Sequence, residues 1–207
     1  MSTLAVRKKV AAAVLAGGTS SRMGRPKALL DYHGRPLVEY LIAQLREQSG
    51  DVFVVGCPEP GLYSRLSVPV VEDLLERCGP LAGIYSALSY LSKKRQEGLS
   101  DAEYLLIVPC DGVRLPDQFA ESMLNEIALR KCDLVYARDS VRDQPLYGLL
   151  RVSEMEHVHC YLTGGGRKVR NWYETRNCAV VDFAAKGFRF SNLNSPQDWQ
   201  DYLVQHE

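Results

Sequence analysis

Gly17 and Gly18 stand side by side, and Arg22, Arg25 and Lys27 follow within ten residues. Adjacent glycines lack the Cβ atoms that would keep a backbone away from a ligand, and clustered guanidinium and ammonium groups neutralise phosphate oxygens. Two aspartates, Asp73 and Asp111, each come just after a short apolar run. A carboxylate there can hold a hard divalent cation together with phosphate oxygens, so cations facing carboxylates suit a metal–triphosphate complex. The charge distribution agrees. The first 35 residues carry seven basic side chains against the single acid Asp31, a formal +6, whereas the 207-residue chain balances 25 Lys+Arg against 25 Asp+Glu. A neutral whole gives no general attraction to nucleic acid or to an anionic membrane, so any anion binding must be local.

Elements are needed to bring these residues together. Val10–Leu15 reads as a buried strand ended by the glycine pair, and Val52–Val55, Val68–Val71, Tyr104–Val108 and Asp133–Ala137 read likewise. Pro36 opens a helix with Leu37, Val38, Leu41, Ile42 and Leu45 on one face. Leu81, Ile84, Tyr85, Leu88 and Leu91 mark a second helix, and Pro116 starts a third that runs to about Leu129. Strands alternating with helices predict an α/β fold with a mostly parallel sheet, as a single domain over residues 1–207. Beyond Arg138 the pattern loosens into a strand over Leu146–Val152, a helix over Ser153–Leu162, a break at Gly164-Gly165-Gly166, a strand over Ala179–Phe183 and a helix after Pro196. Ligands of open α/β sheets bind beyond the carboxyl ends of the strands, which puts Gly17, Asp73 and Asp111 at one edge.

Other chemistries fit less well. No GxxxxGK[ST] loop and no GxGxxG occurs, and no two of the six cysteines form a CxxC pair, so the thiols read as reduced and mostly buried. Arg7-Lys8-Lys9 before Val10–Ala16 imitates a signal peptide, but a strand running into a glycine turn explains the same residues. No apolar stretch is long enough to span a membrane, and the chain is expected to be soluble and cytoplasmic. On a helix His157 and Cys160 share a face that His159 does not, so these three make a poor metal site. Trp172 and Tyr173 read as core or rim packing, Lys93-Lys94-Arg95 as a solvated helix end, and His33 before Gly34 as a turn.

Leu15-Ala16-Gly17-Gly18 with Ser21-Arg22-Met23-Gly24 and Lys27 resembles the LAGGxSxRMGxxK signature of the molybdenum cofactor guanylyltransferase family, within the nucleotidyltransferase superfamily. Glu72-Asp73, Gly79-Pro80-Leu81-Ala82-Gly83, Pro109-Cys110-Asp111 and Asn192-Leu193-Asn194-Ser195-Pro196 extend the resemblance in order along nearly the whole chain. It implies a Rossmann-like three-layer α/β sandwich whose C-terminal third, from about residue 138, forms the acceptor side of a cleft. It also implies transfer of GMP from GTP to Mo-molybdopterin with Mg²⁺ as cofactor. Leu15, Ala16, Gly17, Gly18 and Asp73 would then surround the nucleotide. Arg22 and Lys27 would neutralise its phosphates, and Asp111 would ligate the metal. Arg167, Lys168, Asn192 and Asn194 would receive the acceptor. Other molybdenum cofactor biosynthesis proteins are the implied partners, with no role for nucleic acid or membrane. The sequence departs from the family at Val55-Gly56-Cys57, where an asparagine is common, at Gly112-Val113-Arg114, where a proline is common, and at Lys168 in place of an arginine. A cytidylyl or sugar-phosphate nucleotidyltransferase, or a non-catalytic nucleotide-binding regulator, are the alternatives.

Overall fold

All six residues of Val10–Leu15 are buried, and this strand, β1, lies inside a seven-stranded sheet. The computed structural model describes residues 3–17, 26–56, 63–64, 66–75, 78–191, 193 and 195–205. The other strands of the sheet are β4 (Asp51–Val55), β5 (Val70–Val71), β6 (Tyr104–Pro109), β7 (Leu134–Arg138), β8 (Asp143–Arg151) and β9 (Cys178–Asp182). They are ordered β5-β4-β1-β6-β8-β7-β9. A separate hairpin joins β2 (Asp31–Tyr32) to β3 (Arg35–Pro36). Its turn places His33 and Gly34 both at positive φ, the geometry a two-residue hairpin loop requires. Every pairing in the main sheet is parallel except those of β8, which runs against both β6 and β7.

Side-chain alternation along β1 divides the core in two. Val10, Ala12 and Val14 face α2 (Leu37–Gln48) and α4 (Phe119–Arg130), together with Val6 of α1 (Thr3–Lys9). Ala11, Ala13 and Leu15 face α3 (Pro80–Gln96), α5 (Met155–Thr163) and α6 (Val169–Tyr173). This is the expected three-layer α/β sandwich. The small Ala11, Ala12 and Ala13 let both helix layers approach the middle of the sheet.

Several boundaries differ from the sequence reading. The strand expected over Val68–Val71 shrinks to Val70–Val71, the only residues that reach β4 in register. The helix expected from Pro116 begins at Phe119, because Gln118 adopts a left-handed conformation. The strand expected to start at Leu146 starts at Asp143 and pairs with Arg138. Trp172 and Tyr173 are buried in the core, as the packing reading expected.

α7 (Pro196–Gln205) closes the fold. Its first turn is a reciprocal cap: the Asp198 N–H donates to Ser195 Oγ at 3.1 Å, and the Ser195 N–H donates to Asp198 Oδ2 at 2.9 Å. Pro196 occupies the first helical position, where no N–H is needed. Trp199 and Leu193 pack with Leu30, Leu37 and Val113 in a third, small apolar cluster away from the sheet.

Asp139 ties the C-terminal segment to the β7–β8 turn. Its buried carboxylate accepts the Val141 and Arg142 N–H groups at 2.9 Å, the Gln144 amide at 3.1 Å and the Phe190 N–H at 3.1 Å. Burial works against the charge, but these four donors outweigh it and hold the carboxyl below the usual aspartate range. A depressed folded-state pKa contributes stability above the unfolded-state value of about 3.9, and that stability is lost as pH falls through the folded value. Asp139→Ala is therefore expected to lower Tm at neutral pH. It should also flatten the fall of Tm with acidification below about pH 4, measured as Tm against pH beside the wild type. A parallel fall in both proteins would show that Asp139 carries none of this acid sensitivity.

Candidate active site

The carboxyl ends of β1, β4, β5 and β6 lie side by side, and each leads into a residue singled out from the sequence. Leu15 pairs with Val55 on one side and Pro109 on the other, and Val55 pairs with Val71. Ala16 donates its N–H to the Val55 carbonyl at 2.8 Å, Gly56 to Val71 at 2.9 Å and Cys110 to Leu15 at 3.0 Å, so the strand ends stay bonded to the rim.

Asp73 sits at a meeting point of three glycines. A methyl group added at Gly17 would come within 3.0 Å of Asp73 Oδ2, and one at Gly83, in the first turn of α3, within 3.6 Å of Oδ1. Gly56 is tighter still. A Cβ there would lie 2.6 Å from Gly17 Cα, 2.7 Å from Gly17 N and 3.0 Å from Asp73 Oδ2, and the residue has φ +79°. The two strand ends thus meet backbone to backbone beside the Asp73 carboxylate. Burial raises the Asp73 pKa. This explains the Val55-Gly56 departure: a residue with a Cβ at 56 is incompatible with this approach of Gly17. Sequence reading missed Gly56 and Gly83 as site residues; the available signal was a glycine ending the second strand.

On the opposite side of β1, Lys27 and Asp111 meet. Lys27 lies in a single 3₁₀ turn, Lys27–Leu29, and its Nζ donates to Asp111 Oδ2 at 3.0 Å. Both side chains are about four-fifths buried, at 16% and 17% exposure. The Asp111 loop is braced from α2: Gln44 Nε2 donates to the Val113 carbonyl at 2.9 Å while Gln44 Oε1 accepts the Leu115 N–H at 2.8 Å. Gly112 has its own steric cause, because a Cβ there would run into the Tyr147 hydroxyl. That hydroxyl donates to the Ser191 carbonyl at 3.3 Å, and burial followed by the nearby Asp111 carboxylate drives its pKa well up. Leu193 donates its N–H to the Asp111 carbonyl at 3.4 Å, which brings the C-terminal segment to the same loop. Cys110 is no nucleophile: burial first, then the Asp111 charge, pushes its thiol up to about 12.

The structure therefore brings Leu15, Ala16, Gly17, Asp73, Lys27 and Asp111 to one edge. Gly18, Arg22, Asn192 and Asn194 lie outside the described residues. Arg167 has a local task that the sequence did not reveal: its guanidinium donates to the Leu162 and Gly166 carbonyls at 2.8 and 2.7 Å, holding the end of α5. Lys168 is exposed at the start of α6. β8, antiparallel to β6, carries the chain away from the site edge, and the basic turn follows α5. Among the described residues no group of three or more His, Cys, Asp or Glu converges on a metal position, which includes His157, His159 and Cys160. His159 instead stacks on Tyr85 at 5.2 Å between ring centroids. No helix among the described residues is long and apolar enough to cross a membrane.

The carboxyl edge of this mostly parallel sheet, which gathers closely packed glycines, a lysine and two aspartates, is the place where open α/β sheets bind their ligands. Residues 12–179 match the family model of the MobA-like NTP transferase domain. The chain belongs to that family. It is 33% identical over 194 residues to a molybdenum cofactor guanylyltransferase of Shewanella woodyi, spanning 93% of this chain and 94% of that one. The fold is similar to the crystal structure of molybdopterin-guanine dinucleotide biosynthesis protein A from Archaeoglobus fulgidus, with a TM-score of 0.74, 21% identity, and 95% and 99% of the two chains covered. A Mycobacterium tuberculosis protein solved as a manganese complex shares the fold at a TM-score of 0.61 and 13% identity, over 95% and 98% of the chains.

Proposed function

We propose that this nucleotidyltransferase uses Mg²⁺ and GTP to place GMP on the terminal phosphate of Mo-molybdopterin, forming the guanine dinucleotide and releasing pyrophosphate. The observation that carries the reading is the Lys27–Asp111 pair, a cation and a carboxylate 3.0 Å apart at the strand edge shared with Asp73. A metal–triphosphate complex needs both charges there. The name of the Shewanella relative supports guanine and the molybdenum cofactor as the two halves of the product.

The donor set fits the metal. Asp111 offers hard oxygen atoms, and a single protein carboxylate completed by phosphate oxygens and water is a typical Mg²⁺ shell. When bound, Mg²⁺ supplies positive charge to the phosphate oxygens. The chain's own residues do the rest. Leu15, Ala16, Gly17 and Gly18 let the nucleotide lie against bare backbone, and Asp73 accepts hydrogen bonds from it. An oxygen of the acceptor phosphate attacks the α-phosphorus of GTP, and the bond from that phosphorus to the α–β bridging oxygen breaks. The nucleophile is already an anion, so no general base is required. Lys27 and Arg22 stabilise the charge that accumulates on the leaving pyrophosphate. Arg167, Lys168, Asn192 and Asn194, in the C-terminal third, hold the acceptor in line.

The test is pyrophosphate release by the purified protein with Mg²⁺ and Mo-molybdopterin, comparing GTP with CTP, ATP and UTP. Release with GTP that depends on the acceptor is expected. Release with CTP would move the protein to a cytidylyl reaction, and no release despite tight GTP binding would leave it a nucleotide-binding regulator.

A further inference from the structure

One stripe of α2 changes character along its length. Leu37 and Leu41 are buried apolar residues, but Gln44 and Gln48 follow them at helical spacing and are only half-buried. Each amide grips main chain of the segment that joins β6 to α4, and each uses both its donor and its acceptor. Gln44 Nε2 donates to the Val113 carbonyl at 2.9 Å, and Oε1 accepts the Leu115 N–H at 2.8 Å. One turn on, Gln48 Nε2 donates to the Pro116 carbonyl at 3.3 Å, and Oε1 accepts the Ala120 N–H at 3.1 Å. The second grip is a cap, because Ala120 lies in the first turn of α4, where N–H groups have no partner within the helix. The first grip caps nothing. Val113 and Leu115 are 2% and 3% exposed, belong to no helix or strand, and stand two and four residues past Asp111.

We propose that Gln44 is a positioning residue for Asp111, and that α2 thereby sets the Lys27–Asp111 pair from both sides. The inference rests on the metal role given to Asp111 above. α2 begins at Leu37, whose N–H donates to the Leu30 carbonyl at 2.8 Å, and the Leu30 N–H in turn donates to the Lys27 carbonyl at 3.1 Å. The lysine turn is thus tied to the first residue of α2, and the aspartate loop to a residue two turns further along. Other contacts bracket Asp111: the Cys110 N–H bonds the Leu15 carbonyl at 3.0 Å, the Leu193 N–H bonds the Asp111 carbonyl at 3.4 Å, and the Tyr147 hydroxyl fills the space a side chain at 112 would need. The buried Val113 carbonyl and Leu115 N–H, however, are met by Gln44. Without the amide the loop must shift to bring those two groups to water. The carboxylate two residues away is carried with it, whereas the cap on α4 is untouched.

Gln44→Leu and Gln48→Leu each remove one amide grip, so a general loosening of the segment gives equal effects and positioning gives unequal ones. Binding of Mn²⁺ in the presence of GTP is measured by electron paramagnetic resonance, together with metal-free GTP affinity, turnover and Tm, on both variants and the wild type. Tm is expected to fall by similar amounts in both. Gln44→Leu should weaken Mn²⁺ binding about tenfold and lower kcat about tenfold or more, with metal-free GTP affinity held within about twofold. Gln48→Leu should keep all three within about twofold of the wild type. If Gln44→Leu does not fold, Gln44→Met, which fills nearly the volume of the glutamine, carries the same expectation. Equal losses of Mn²⁺ affinity at the two positions would overturn the proposal. A wild type that binds GTP but takes up no Mn²⁺ with it overturns the metal role of Asp111, and the proposal with it. A wild type that takes up Mn²⁺ beside a Gln44→Leu protein that does so equally well overturns the proposal alone.

Discussion

Lys27→Ala and Asp111→Asn each lower turnover by about 10²- to 10³-fold, the usual cost of losing one preorganised charge from a phosphoryl-transfer site. In the proposed reaction the effect would fall on the transition state. Negative charge would gather on the leaving pyrophosphate as the bond to the α-phosphorus breaks, where the Lys27 ammonium would stabilise it. Asp111→Asn keeps shape and hydrogen-bonding capacity but removes the anionic donor, so its residual rate responds weakly to added Mg²⁺, whereas that of Lys27→Ala still does. Stability falls moderately. Each partner left behind is four-fifths buried, at 16% and 17% exposure, and an unpaired charge there costs up to about 3 kcal/mol. Turnover, its Mg²⁺ dependence and Tm are compared for the wild type and both variants. Near-normal turnover in either would remove that residue from the chemistry. A collapse of Tm would show that the pair serves the fold instead.

Gly56→Ala has the second large effect, and it acts through geometry rather than charge. The new Cβ would lie 2.6 Å from Gly17 Cα, a backbone atom two residues beyond the paired end of β1, while Gly56 itself is held by its N–H on the Val71 carbonyl. Neither can give way by rotating a side chain. The residue also sits at φ +79°, a region where a Cβ adds about 1 kcal/mol of strain or more. The ends of β1 and β4 must part, and their close approach beside Asp73 is lost. The expected outcome is a loss of GTP affinity of about 10²-fold or more together with a Tm lower by several degrees. Gly79→Ala is a useful contrast. It too has positive φ, at +68°, but a Cβ there meets nothing within 4 Å, so it carries the strain without the collision. If both substitutions weaken GTP equally, backbone strain and not the Gly17–Gly56 contact explains the effect.

The strands that hold the site were legible because they are short, unbroken apolar runs ended by glycine, proline or aspartate. Val10–Leu15 and Tyr104–Pro109 are both fully buried, so such runs have little freedom to be anything else. Strand direction was less plain. β8 runs antiparallel because only four residues, 139–142, separate it from β7, far too few for the crossover that a parallel neighbour needs. Reading Leu146 as its first residue hid that arithmetic. α1 was missed because Val6 is its one buried residue, so it shows no apolar stripe. α6 was missed for its length of five residues. The charged half of the site was visible as residue types at strand ends. The glycine half was only partly so, since the need for Gly56 and Gly112 comes from Gly17 and from Tyr147, partners distant in sequence.

The strand order has a consequence for how the molecule is assembled. β1, β4, β5 and β6, whose ends meet at Gly17, Gly56, Asp73 and Asp111, are all complete by residue 109, whereas β8, β7 and β9 come from residues 134–182 and Leu193 later still. A chain emerging from the ribosome can therefore pair the four parallel strands first, since domains mature from the N-terminal side. Until β8 arrives, β6 presents an open edge, the kind of surface that recruits the wrong strand. The hairpin of β7 and β8 serves as a late seal on that edge.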